Sequence, residues 1–144
     1  MKQGLTLIVP VYNEISAIEN SIIHLKAIKK NCKDFNLEII LVNDGSTDGT
    51  EKILQGVAND KDLKIMHHSK NRGYGAALKT GIRAAKHDFI AITDADATYP
   101  DERIPEFFKD VITNDLDMLV GARIGESVNI PLIRKFPKWV INQL

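Results

Sequence analysis

Cysteine is almost absent from this chain: Cys32 is the only one, so no internal disulfide can form. That fits a reducing compartment. Charge of either sign is not in excess, with 19 basic against 19 acidic residues. The zero balance argues against bulk attraction to nucleic acid, and no nucleic-acid partner is expected. Long apolar runs are missing too. The longest are of strand length, far below the roughly 20 residues that span a bilayer. Residues 1–4 run straight into a strand-like segment with no apolar stretch or small-residue cleavage site, so neither a signal peptide nor a membrane crossing is expected. There is no G-x-S-x-G, and Cys32 has no evident partner. Covalent hydrolase chemistry is therefore disfavoured. His67 and His68 lack the further Cys or His of a zinc site and are expected to be structural or solvent-facing.

What remains is an ordinary globular composition, 44% apolar and 26% charged over 144 residues, enough for one domain around one core. Five short apolar runs, 5–9, 37–43, 63–67, 88–93 and 117–121, predict strands. Most are near-continuous rather than alternating, as in strands covered on both faces. Helical periodicity lies between them. Ile15, Ile18, Ile22 and Leu25 share one face of a helix over about 14–30. Asp48 with Glu51 reads as a capping box opening a second helix, with Ile53, Leu54 and Val57 turned inward. Ala77, Leu78, Gly81, Ile82 and Ala85 predict the inward stripe of a third. Pro100 and Asp101 open a fourth, carrying Ile104, Phe107, Phe108, Val111 and Ile112, with Pro105 tolerated near its first turn. Strand–helix alternation predicts an α/β fold with a mostly parallel sheet and helices on both faces. Residues 124–131 read as a loop, and 132–144 as a helix in which the chain stops.

In open parallel sheets, ligands bind at the carboxyl ends of the strands. There this sequence places Pro10, Tyr12, Asn13 and Glu14 after the first strand, and Asp44, Gly45 and Ser46 after the second. The third is followed by the run Asn71 to Gly75, the fourth by Asp94, Ala95 and Asp96, and the fifth ends at Arg123. Asp94 and Asp96 can converge on a hard cation such as Mg²⁺, which takes one or two carboxylates plus phosphate oxygens; alternatively they cap the next helix. Asp44 can accept from a nucleobase edge. Ser46 and Thr47 read as an ordinary turn and N-cap. Tyr12 can stack on a base or simply pack, and Glu14 can accept from ribose hydroxyls or serve as a first-turn acid. Gly73 and Gly75 fail the G-x-G-x-x-G fingerprint, because position 78 is Leu and this is the third turn rather than the first. Close backbone packing at a helix start, with Arg72 near a phosphate, accounts for them better.

Taken in order, the stretches 7–14, 40–48, 71–77, 94–96 and 121–123 resemble the family 2 glycosyltransferases of the GT-A fold, a Rossmann-like sandwich. Within that family the Asn71–Gly75 run, Asp94-Ala95-Asp96 followed by Tyr99-Pro100, and the Arg134-Lys135 pair are most similar to polyprenyl-phosphate sugar transferases of the dolichol-phosphate mannosyltransferase type. The resemblance implies an inverting, metal-dependent enzyme that moves a sugar from a GDP-mannose or UDP-glucose type donor to a polyprenyl phosphate. Pro10, Tyr12, Glu14, Asp44 and Ala95 would hold the nucleotide. Asp94 and Asp96 would hold Mg²⁺ or Mn²⁺ and the donor diphosphate, and Arg123 and Arg134 would contact phosphates. The alternatives are transfer to a glycan hydroxyl, or a truncated donor-binding module without activity. Thr98 stands where many mannosyl enzymes of the family have Gln or Ser, leaving donor choice open. The expected organisation is a donor-binding core over 1–123 followed, over 124–144, by a flexible loop and the start of an interface helix. The implied location is cytoplasmic, at the cytoplasmic face of a membrane.

Overall fold

A computed structural model describes residues 3–96 and 99–121. Four strands, β1 (Gly4–Val11), β2 (Asn36–Asn43), β3 (Lys64–His67) and β4 (Phe89–Ile92), form one sheet in the order β3-β2-β1-β4, and every pairing is parallel. Four helices, α1 (Ile18–Asn31), α2 (Thr50–Gly56), α3 (Tyr74–Ala84) and α4 (Ile104–Thr113), alternate with the strands or follow them, and a 3-10 turn at Asp101–Arg103 leads into α4. The expected α/β sandwich is present.

The two faces of β1 divide the core. Leu5, Leu7, Val9 and Val11 meet Ile18, Ile22, Leu25 and Ile28 of α1, with Leu54 of α2 and Phe108 of α4 in the same cluster. Ile8 points the other way and joins Ile40, Val42 and Ala77 beneath α3. Strand side chains alternate between faces, so a continuous apolar run is what a strand sandwiched between two helical layers requires. Edge strands β3 and β4 are only partly covered and carry less of that pattern. Phe108 secures α4 through ring contacts to Phe35 at 4.7 Å and Phe89 at 5.4 Å. Pro105 sits in the first turn of α4, where its missing N–H costs nothing.

Gly81 lets α3 approach the sheet. A methyl group there would stand 2.5 Å from Ile8 Cγ2, against a fully buried side chain of the central strand. Gly81→Ala gains about 1 kcal/mol of helix propensity and loses about 1–3 kcal/mol to overpacking. The expected result in a thermal melt is a Tm lowered by roughly 5 °C. A raised Tm would mean that α3 can lift away at no cost.

Several expectations need correction. Residues 117–121 do not form a fifth strand: they make no ladder with the outer edge of β4, and Met118 and Val120 are exposed. An apolar run becomes a strand only where a neighbour takes its backbone groups. Helix α1 starts at Ile18 rather than Glu14: Asn13 takes a positive φ of 56°, and the N–H groups of Asn13, Glu14 and Ile15 donate to the Ser46, Thr50 and Asp48 side chains, which hold this stretch as a loop against the loop after β2. Ile15 is consequently exposed, and so is Ile82 on the outer side of α3. Ala85 is the C-cap of α3. The N-cap of α2 is Gly49, at φ 103°, so neither Asp48 with Glu51 nor Ser46 with Thr47 caps it. Among the described residues no helix is long and apolar enough to cross a membrane.

Candidate functional site at the carboxyl edge of the sheet

β1 lies in the middle of the sheet, with β2 on one side and β4 on the other. Chains leaving the ends of β1 and β4 in such an arrangement diverge and leave a crevice between them. That crevice is a cleft of about 270 Å³, and its walls include Pro10, Tyr12 and Glu14 from the end of β1, Asp44 from the end of β2, and Asp94 and Asp96 after β4. Ala95, Asn71, Gly73 and Tyr74 complete much of the lining. The seven described residues to which the resemblance gives nucleotide or metal roles therefore meet in one place. Arg123, Arg134 and Thr98 lie outside the described residues. A larger, shallower depression of about 720 Å³ between α1 and residues 99–102 includes Tyr99 and Pro100 but none of the residues given a binding role. The smaller cleft is the candidate on chemical grounds.

The loop after β1 and the loop after β2 brace each other. Asn13, at φ 56°, accepts from the Thr47 N–H at 2.8 Å, and its own N–H donates to Ser46 Oγ at 3.0 Å. The Glu14 N–H donates to Thr50 Oγ1 at 3.0 Å. Asp48 accepts from the N–H groups of Ile15 at 3.0 Å and Thr50 at 2.9 Å, which is the role it takes in place of a capping box. Behind the cleft, Ser21 of α1 donates its hydroxyl to the Ala95 carbonyl, and Thr93 donates to the buried Asp101 at 2.5 Å. These bonds anchor the Asp94–Asp96 turn at its middle residue and at the residue that leads into it. Burial raises the Asp101 carboxyl above its ordinary value, partly opposed by the Thr93 bond.

Asp44 is more heavily engaged than its place in the sequence suggests. It is 3% exposed. Its Oδ1 accepts from His68 Nδ1 at 2.6 Å and from the Arg72 N–H at 3.0 Å, while Oδ2 accepts from the Gly73 N–H at 2.8 Å. Burial works to raise its pKa, but the His68 bond and the two backbone donors outweigh it and hold the carboxyl below its ordinary 3.8. A depressed acid stabilises the fold above its unfolded pKa, and that contribution is lost as pH falls through the folded value. In acid titrations followed by circular dichroism, the parent is expected to lose stability below pH 3.8 more steeply than Asp44→Asn; equal slopes would refute the assignment. Close backbone packing does not explain Gly73 or Gly75, since nothing lies within 4 Å of a Cβ at either; Gly73 is required instead by its φ of 89°.

Negative charge gathers along the cleft. Glu14 is pushed above its ordinary pKa by burial first, then by Asp96, Asp48 and Asp94. Tyr74, part of the Asn71–Gly75 run but given no role of its own in the sequence, points its hydroxyl at Asp94 Oδ1, 3.4 Å away, and burial together with that acid raises its phenol. Among the described residues lining the cleft there are four acids, Glu14, Asp44, Asp94 and Asp96, and no Lys or Arg. No group of three or more His, Cys, Asp or Glu converges on one metal position among the described residues. The donor set instead suits a cation that takes two carboxylates and draws its other ligands from phosphate and water, the habit of Mg²⁺. His68, expected to be structural or solvent-facing, is structural: its side chain is buried between Asp44 and Thr80, partners that sequence reasoning did not find. Nothing in the sequence marked it beyond its place at the end of a strand.

Comparison with known proteins points the same way. The model of "Glycosyl transferase family 2" matches residues 6–142. The chain is 32% identical over 132 residues to the poly-beta-1,6-N-acetyl-D-glucosamine synthase of Staphylococcus aureus (strain COL), covering 92% of this chain and 29% of that protein. It is 30% identical over 133 residues to the dolichol-phosphate mannosyltransferase of Pyrococcus furiosus, covering 90% of this chain and 37% of that one. It thus spans about a third of the length of these curated relatives. Among solved structures, the mannosyltransferase PcManGT from Pyrobaculum calidifontis, in complex with GDP-Man and Mn²⁺, superposes with a TM-score of 0.63 at 32% identity over 74% of this chain and 32% of that one. S. aureus TarS 1–349 in complex with UDP-GlcNAc shares the fold, with a TM-score of 0.67 at 24% identity over 91% of this chain and 37% of that one. With a family model matched over most of its length, the chain belongs to glycosyl transferase family 2.

Proposed function

We propose that this chain is the donor-binding part of an inverting glycosyltransferase whose donor is a nucleotide-diphosphate sugar bound with Mg²⁺ or Mn²⁺. One observation carries the reading: in a family 2 chain, Tyr12, Glu14, Asp44, Asp94 and Asp96 line a single cleft at the carboxyl edge of a parallel sheet. A diphosphate entering a cleft walled by acids is repelled unless a cation accompanies it. Asp94 and Asp96 are the residues to hold that cation, which offsets the charge of the departing diphosphate. PcManGT, bound to GDP-Man and Mn²⁺, supports the same pairing of donor and metal. Tyr12 and Pro10 supply the surfaces for the base, Glu14 faces the ribose, and the remaining acceptor capacity of Asp44 faces the base edge. Ala95, between the two acids, contributes backbone to the nucleotide wall. Arg123 and Arg134 are assigned to phosphates on sequence grounds alone.

For the acceptor we propose a polyprenyl phosphate, which is already anionic and needs no strong general base. The resemblance to dolichol-phosphate mannosyltransferase supports this. The similarity to poly-beta-1,6-N-acetyl-D-glucosamine synthase favours a second reading, transfer to a glycan hydroxyl. A donor-binding module without activity is the third. In the lipid reading, residues 1–123 bind donor while 124–144 face the cytoplasmic surface of a membrane, with Arg134, Lys135, Lys138 and Trp139 suited to anionic headgroups. The full-length protein is expected to co-sediment with anionic phosphatidylserine vesicles, less so at high salt, and to transfer sugar to a polyprenyl phosphate but not to a soluble glycan. Transfer to the glycan alone, without vesicle binding, would reverse the acceptor assignment.

A further inference from the structure

His68 joins three elements that the chain brings together from separate places. Its N–H donates to the Asn43 carbonyl at 2.9 Å, extending the β2–β3 ladder by one bond. Its side chain is 5% exposed, with Nδ1 2.6 Å from Asp44 Oδ1 and Nε2 2.8 Å from Thr80 Oγ1 on α3. A carboxylate only accepts, so the proton on this contact sits on Nδ1. In the neutral ring Nε2 then accepts from the Thr80 hydroxyl, and both ring nitrogens are satisfied.

The other two donors to Asp44 are the backbone N–H groups of Arg72 and Gly73. They belong to the turn that Asp44 holds, and Gly73 itself lines the cleft. The turn cannot fix the carboxylate that fixes the turn. His68 is the donor fastened from outside, by β2 on its backbone and α3 on its far nitrogen. We propose that His68 is a positioning residue for donor binding: it orients the Asp44 carboxylate, and through it the Arg72–Gly73 turn that walls the nucleotide end of the cleft. The inference rests on the transferase reading and adds to it a residue that touches no substrate.

Three substitutions in the full chain separate positioning from simple filling of space. The amide nitrogen of His68→Asn stands where Nδ1 stands and keeps the donor to Asp44. His68→Gln replaces the Nε2 end and loses it, and His68→Phe keeps the volume but no donor. With Mn²⁺ present, the Asn variant is expected to bind GDP or UDP within about threefold of the parent, and the Gln and Phe variants about tenfold more weakly, as expected for a lost charged hydrogen bond. Amide exchange at Gly73 should accelerate about tenfold in the Gln and Phe variants and little in Asn. If affinity follows side-chain volume instead, with Phe like the parent and Asn the weakest, the inference is overturned. A parent that binds neither nucleotide overturns the transferase reading along with it, whereas a binding parent matched by His68→Phe overturns this inference alone. Should the variants not fold, nitrogen NMR of the parent still decides: a neutral His68 ring with its proton on Nε2 contradicts the proposal.

Discussion

Asp94→Asn and Asp96→Asn are each expected to weaken Mn²⁺-dependent binding of a nucleotide-diphosphate sugar by about 10- to 100-fold while leaving the fold intact. The magnitude follows from the roughly 1.5–3 kcal/mol carried by a hydrogen bond or contact to a charged group. The fold is spared because Asp96 is exposed and Asp94 only partly covered, and because the turn is anchored through Ser21, Ala95, Thr93 and Asp101, which neither substitution touches. A second consequence separates lost charge from general damage. Asp96 and Asp94 both push Glu14 upward, so in either variant the Glu14 carboxyl should titrate closer to its ordinary 4.5. Calorimetric titration and carboxyl NMR read the two effects independently. Parent-like affinity in both variants would remove the metal assignment.

Gly45→Ala is expected to damage stability and binding together. Gly45 sits at φ 70°, where an L side chain costs about 1–2 kcal/mol. A methyl group there would also lie 2.4 Å from the Lys70 carbonyl carbon and 2.6 Å from the Asn71 nitrogen. Those are backbone atoms, which cannot rotate aside, so the 70–73 segment must shift, at about 1–3 kcal/mol more. The shift pulls the Arg72 and Gly73 N–H groups from Asp44. The expected outcome is a Tm lower by roughly 10 °C and nucleotide affinity reduced about tenfold or more. A variant that melts lower but binds normally would uncouple the turn from the cleft and count against the role given to Asp44.

The contrast between Gly45 and Gly73 shows what the sequence could and could not reveal. Both were visible as glycines after strands. Both adopt a positive φ, and only the fold distinguishes the one against which backbone packs from the one in open space. The parallel sheet was legible because β1 and β2 are covered on both faces, and a doubly covered strand must be apolar throughout. The meeting of Tyr12, Glu14, Asp44, Asp94 and Asp96 was legible because strand ends in such sheets share one edge. The start of α1 was not. It depends on Ser46, Asp48 and Thr50 taking N–H groups from a loop more than 30 positions earlier in the chain. The bonds of His68 escaped for the same reason: its partners Asp44 and Thr80 lie 24 and 12 positions away and meet it only after folding. Residues 117–121 carried the composition of a strand, but composition does not supply a neighbouring ladder.

The central claim is that the acid-lined cleft binds a nucleotide-diphosphate sugar only in company with a divalent cation. It is tested most directly by calorimetric titration of the full chain with a panel of GDP- and UDP-sugars, in Mn²⁺ and again in EDTA. The account predicts saturable binding of at least one donor in Mn²⁺ and affinity at least about tenfold weaker in EDTA. Equal affinity in the two conditions, or no binding of any donor in Mn²⁺, would contradict it.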